Sequence, residues 1–256
     1  MTADRWTGKR GRRAAPSHRA VVGDGWAVRH QLGLGRLLPL GGPRDGAWIT
    51  EEAAAAVLER AAADGVPGVR LGALRIGLAD PEDVHEPVVP PPPGALPAGA
   101  LRLTADFAAT AAEPLPTVAS RLRHALATAA TRQLGLAVTE VDLRVTDLLD
   151  TAEPPREVRT PRPAPAQDPT DPDETRAAEA ALSVPGVTGL TASLGRGVRL
   201  EERTAGTTAL PHRHARVELT TSADHRTVEV ARRVRTTVRE ALEDRPTVAV
   251  LVTAVG

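Results

Sequence analysis

Val66-Pro67-Gly68-Val69 closes an alanine-rich stretch carrying Ala62-Ala63, and Val184-Pro185-Gly186-Val187 closes a second one carrying Ala180-Ala181. The same tetrapeptide ending the same kind of segment twice marks an internal repeat. A glycine just past a helix lets the chain turn back into a strand. Further along, Val118-Ala119, Leu122, Leu126 and Ala129 recur as Val230-Ala231, Val234, Val238 and Ala241. Steps of four, four and three hold these apolar groups on one face of a helix. Each such helix leads to a run with strand character, Val141, Leu143, Val145 in the first copy and Val248, Val250, Val252 in the second. Alternating apolar residues upstream, at Leu101, Leu103, Ala105, Phe107 and at Ala215, Val217, Leu219, predict strands with one buried face.

Read outward from these anchors, the first copy is strand (47–49), helix (51–64), strand (73–79), strand (101–108), helix (115–134), strand (139–146). Thr50 is placed to cap the first helix, with Glu51 and Glu52 favourable in its first turn. The second copy has no evident first strand, and its helix starts near Asp173 or Glu174. The predicted fold class is α+β: two tandem βαββαβ-like domains, each an antiparallel or mixed sheet with two helices on one face. Two proline-rich stretches punctuate the chain. Residues 81–99, with Pro90-Pro91-Pro92-Pro93, interrupt the first domain as a long hairpin insertion, and residues 151–173 form the linker; both read as extended, exposed spacers. The expected organisation is a disordered basic tail (1–25), an apolar docking or anchor segment (26–44), a first domain (45–150), the linker, and a second domain (174–256).

A helix ending in Val66–Val69, a strand hairpin, then Pro116-Thr117-Val118-Ala119 through Leu126 and a closing strand at Val138–Val145 resembles the alkaline shock protein family, the envelope stress response family of Gram-positive bacteria, here in a duplicated form of actinobacterial type. The second copy carries Val228 where the first has Pro116. The resemblance implies a non-enzymatic cytoplasmic protein, peripheral to the cytoplasmic membrane, held there by a membrane-anchored protein partner and linked to cell-envelope homeostasis. It implies no catalytic residue, metal or cofactor. The helix–V-P-G-V–strand pattern also occurs in ferredoxin-like metal-chaperone domains, whose C-x-x-C is absent here.

The 256 residues contain no cysteine, which excludes disulfides, thiolate metal sites and a cysteine nucleophile. Net charge is zero, but nine basic and two acidic groups in residues 1–44 leave that segment at +7 and the rest at −7. The first twenty residues have almost no large apolar side chains, which predicts disorder. Arg12-Arg13 is not followed by an apolar h-region, and Val21 or Val22 is an alternative start. The apolar run at 248–255 is too short to span a bilayer, so no transmembrane span is expected.

No dinucleotide, phosphate-loop, zinc-protease or serine-hydrolase signature is present. His212 and His214, with His225 and Glu218 nearby, are metal-compatible types whose simplest reading is solvated polar groups. The acidic run Asp168, Asp171, Asp173, Glu174 reads as linker. The candidate partner-binding residues are Arg121 and Arg123 on one amphipathic helix, Arg232, Arg235 and Arg239 on the other, and Trp26 and Leu37 in the apolar segment, together with the exposed sheet face. Self-association is a further expected mode. The rival reading is a nucleic-acid-associated protein using the basic arm, and a third is a small-ligand enzyme with a pocket between the copies.

Overall fold

The computed structural model describes residues 35–151, 158–203 and 212–256. The basic tail, Trp26 and the proposed starts at Val21 or Val22 lie outside these residues. Among the described residues the chain is α+β, with helices packed against mixed and antiparallel sheets. In order come β1 (Leu37–Pro39), β2 (Ala47–Thr50), α1 (Glu51–Gly65), β3 (Val69–Leu78), the short pair β4 (Val84–His85) and β5 (Ala98–Gly99), and β6 (Leu101–Thr110). Then follow α2 (Leu115–Thr128), a π-helical turn (Ala129–Leu134), β7 (Val138–Leu149), α3 (Pro172–Leu182), β8 (Val187–Leu190), β9 (Val198–Arg203), β10 (His212–Thr221), α4 (Thr227–Ala241) and β11 (Thr247–Val255).

Local chemistry explains the boundaries. Thr50 Oγ1 accepts the Ala53 N–H at 3.2 Å and starts α1. The helix stops where Gly68 takes φ +77°, and Gly186 at φ +95° repeats that reversal after α3. Asp171 caps α3, accepting the Asp173 and Glu174 N–H groups at 2.9 and 3.0 Å, while Pro172 fills the first helical position. The acidic run read as linker is therefore a helix start, and Glu174, 5 % exposed, accepts the Leu200 N–H. The π-helical turn ends at Gly135, φ +90°. A Cβ there would lie 2.3 Å from Val228 Cγ1, so the chain approaches α4 more closely than any other residue type allows.

The two copies share one topology. β3 runs antiparallel to β6 and β7 parallel to it, with α2 as the crossover; β8 and β9 run antiparallel to β10 and β11 parallel to it, with α4 as the crossover. The difference is at β2. Instead of joining β7, it pairs in parallel with β11, Ala47, Trp48 and Ile49 facing Val250, Leu251 and Val252. The larger sheet thus runs β1-β2-β11-β10-β8, with β9 also on β10, while β3-β6-β7 stands alone. β2 supplies the first strand that the second copy lacks. A single apolar cluster then runs through both halves, from Leu38, Ile49 and Leu58 through Phe107 and Leu126 to Val217, Val234 and Val250.

Neither proline-rich stretch is a free spacer. In the insertion, Val89 is 2 % exposed and packs with Leu37, Trp48, Ala249 and Leu251 on the outer face of the larger sheet. The Leu96 N–H donates to Leu37 O at 2.9 Å and the Val88 N–H to Pro43 O at 3.0 Å, fastening this strap at both ends. In the linker, the Ala166 N–H donates to Leu190 O at 3.0 Å and Ala192 N–H to Ala164 O at 3.1 Å. The apolar area that these contacts remove from water outweighs the freedom a solvated spacer would keep.

Candidate functional site

Residues 212–221 form a regular strand rather than a loop edge, and its outward side chains are covered instead of solvated. His214 is 5 % exposed, and its Nδ1 lies 2.8 Å from Thr247 Oγ1. Burial, with Arg203 adding repulsion, pushes its pKa down to about 4, so it is a neutral core imidazole near pH 7. Glu218 has no exposed surface; one oxygen accepts the Leu194 N–H at 2.9 Å, and the other lies 3.6 Å from Arg216 Nε. No group of three or more His, Asp or Glu among the described residues is arranged to hold a metal ion.

The exposed face of the smaller sheet is internally paired. Arg144 makes a two-pronged contact with Asp106 at 2.8 and 2.9 Å, and Arg102 meets Glu140 at 2.6 Å. On α2, Arg121 is taken up by Glu113 at 2.8 Å, and Arg123 donates to Val141 O at 3.1 Å. Leu37, 2 % exposed beneath the strap, is out of reach of a partner. Leu37, Leu38 and Leu40 are buried in the body of the protein, while residues 26–34 of the expected docking or anchor segment lie outside the described residues.

The cations of α4 stand apart. Arg232, Arg235 and Arg239 project on one side of the helix at steps of three and four, beside a cleft of about 500 Å³. Its other walls are Val88 and Val89 of the strap and the segment from Arg245 to Val248 that leads into β11. Arg232 is neutralised: Asp45 holds it with two contacts at 2.8 and 2.9 Å, and Glu229 adds one at 2.7 Å. Burial alone would raise the Asp45 carboxyl, but hydrogen bonds from Arg232 and the Gly42 N–H bring it below the ordinary range. Arg235 is half-buried and donates to Arg44 O; burial lowers its pKa, although a guanidinium stays charged at any physiological pH. Among the described residues no carboxylate lies within ion-pair distance of Arg235, Arg239 or Arg245. Arg245 is also the single non-glycine residue among them with positive φ, +46°. The arrangement is a cationic wall, paired at Arg232 and unpaired at Arg235 and Arg239, facing Val88 and Val89.

Sequence reasoning found Arg232, Arg235 and Arg239 from helical spacing. It missed Arg245 and the strap, because they reach the cleft from distant parts of the chain. No known protein family and no curated protein matches this sequence. No helix among the described residues is long and apolar enough to cross a membrane.

Proposed function

We propose that this chain is a non-enzymatic scaffold that binds protein partners close to the cytoplasmic membrane, in the role the resemblance to envelope stress proteins implies. The observation that supports it best is the α4 face, where Arg235 and Arg239 line a cleft with no carboxylate at ion-pair distance among the described residues. An uncompensated cationic surface is suited to an acidic partner surface and speeds encounter with it. The paired charges of the smaller sheet and α2 make those regions weaker candidates, which moves the expected contact surface from both second helices to α4 alone.

The test is fractionation of host cells into membrane and cytosol. Three chains are compared: the full chain, the full chain with Arg235→Glu and Arg239→Glu, and a chain beginning at residue 35. The cut is placed there because residues 35–44 include β1. The full chain is expected with the membrane fraction and the doubly reversed chain in the cytosol. If all three remain in the cytosol, the envelope role is discarded. Retention of nucleic acid that falls steeply with salt, and is lost in the chain beginning at residue 35, would favour the basic-arm reading instead.

A further inference from the structure

The geometry points to the α4 cleft as a binding site for a small organic phosphate monoester, its dianionic phosphoryl group between Arg235, Arg239 and Arg245 and its apolar part against Val88. Three features of the cleft carry the assignment. Charge is the first. With Arg232 committed to Asp45, the remaining three guanidinium groups face a single carboxylate, Glu240, so the cleft holds two positive charges in excess. A phosphate monoester carries close to two negative charges at pH 8, whereas a carboxylate carries one. Guanidinium forks also match the tetrahedral oxygens of phosphate and hold them by charge-assisted hydrogen bonds.

The second feature is the mixed wall. Exposed Val88 stands over buried Val89, Pro246 and Val248, so the cleft offers an apolar surface beside the cations, while the Thr236 hydroxyl donates to Arg232 O and that of Thr247 is paired with His214. A site for inorganic phosphate alone has no use for that surface, and its volume of about 500 Å³ exceeds what one phosphate fills. The third is backbone strain. Arg245 at φ +46° occupies a conformation disfavoured for a side-chain-bearing residue, a strain that Gly or Asn would relieve. Strain retained at the mouth of a cationic cleft is the pattern expected when the side chain itself is needed there.

The inference takes from the scaffold reading only the place on α4, and it is tested on purified full-length protein without any partner. Calorimetric titration at pH 8 compares phenyl phosphate, inorganic phosphate and benzoate. Phenyl phosphate is expected to bind most tightly. Arg239→Gln and Arg245→Gly are each expected to weaken it by about tenfold or more, the loss typical of one charged hydrogen bond. Arg245→Gly suits the positive φ, so its thermal stability should equal or exceed that of the parent, separating lost binding from lost fold. Arg75→Gln, on the far sheet, should change nothing. Benzoate binding as tightly as phenyl phosphate, the two cleft variants binding like the parent, or no binding at millimolar phenyl phosphate would each overturn the assignment. Flotation with phosphatidate vesicles, alongside phenyl phosphate binding that Arg239→Gln and Arg245→Gly both weaken, would keep the phosphate monoester and make a lipid headgroup its source. A phosphoserine peptide binding tenfold tighter than phenyl phosphate would overturn the small-molecule class. Failure here leaves the fractionation result standing, and failure there leaves this binding measurable.

Discussion

Glu218 shows what a single buried carboxyl does to the pH response of the whole chain. Burial drives its pKa up to about 7, against the opposing pull of the Leu194 N–H and Arg216. An unfolded glutamate titrates near 4.3, so between about pH 4.5 and 7 the folded state keeps a proton that the unfolded state has lost. The stability associated with that proton is present at low pH and disappears as pH rises through 7. His214 slopes the other way: its pKa of about 4 means that stability falls as pH drops from 6.5 towards 4. The two slopes partly cancel in the parent, so the informative quantity is a variant minus the parent at each pH. Glu218→Gln is expected to match the parent near pH 4.5 and to be more stable by about 2–3 kcal/mol at pH 8, read by thermal unfolding at both pH values. Neither state was legible in the sequence. From His214 to Glu218 the sequence alternates polar with apolar, and alternation reports that one face differs from the other without saying whether the polar face meets water. Here the cover comes from residues 193–194, about twenty positions upstream, and from β9, which forms the edge beside β10.

At the scale of elements, periodicity located most of the helices and strands to within a few residues. Leu115 begins α2, and Leu101 begins β6, where expected; the last turn to Leu134 is π-helical. What periodicity left open was pairing. β2 is four residues long, and nothing within it distinguishes β7 from β11 as a neighbour. The available clue was in β11 itself. From Val248 to Val255 every residue is buried, both faces being covered, and such an unbroken apolar run belongs to an interior parallel strand that needs neighbours on two sides. The strap was misread for a related reason: proline-rich composition predicts an exposed spacer, whereas Val89 and Pro92 are buried against a sheet. Val89→Asp is expected to lift the strap, costing about 2–3 kcal/mol for a fully buried valine. With Trp6 and Trp26 replaced by Phe, its Trp48 emission should shift to the red; an unshifted spectrum would mean that the strap does not shield Trp48.

For the molecule as a whole, a shared cluster and an exchanged strand imply that the halves stand or fall together. Unfolding of the full chain is expected as one transition, coincident by far-ultraviolet circular dichroism and by Trp48 fluorescence. Residues 158–256 produced alone would leave β11 with a bare parallel edge, and should be unfolded or aggregated until residues 35–151 are supplied. Two separate transitions, or a well-folded second half, would refute that dependence. The pairing of β2 with β11 also carries a consequence for synthesis. The Thr50 hydroxyl donates to Thr253 O across 203 positions, so β2 waits for a strand made some two hundred residues later. At roughly 5–20 residues per second, β2 emerges on the order of 10–40 s before its partner exists. During that interval Ala47, Trp48 and Ile49 have no β11 to pair with, so the nascent chain offers a chaperone an apolar strand, and the translation of β11 decides when it is released.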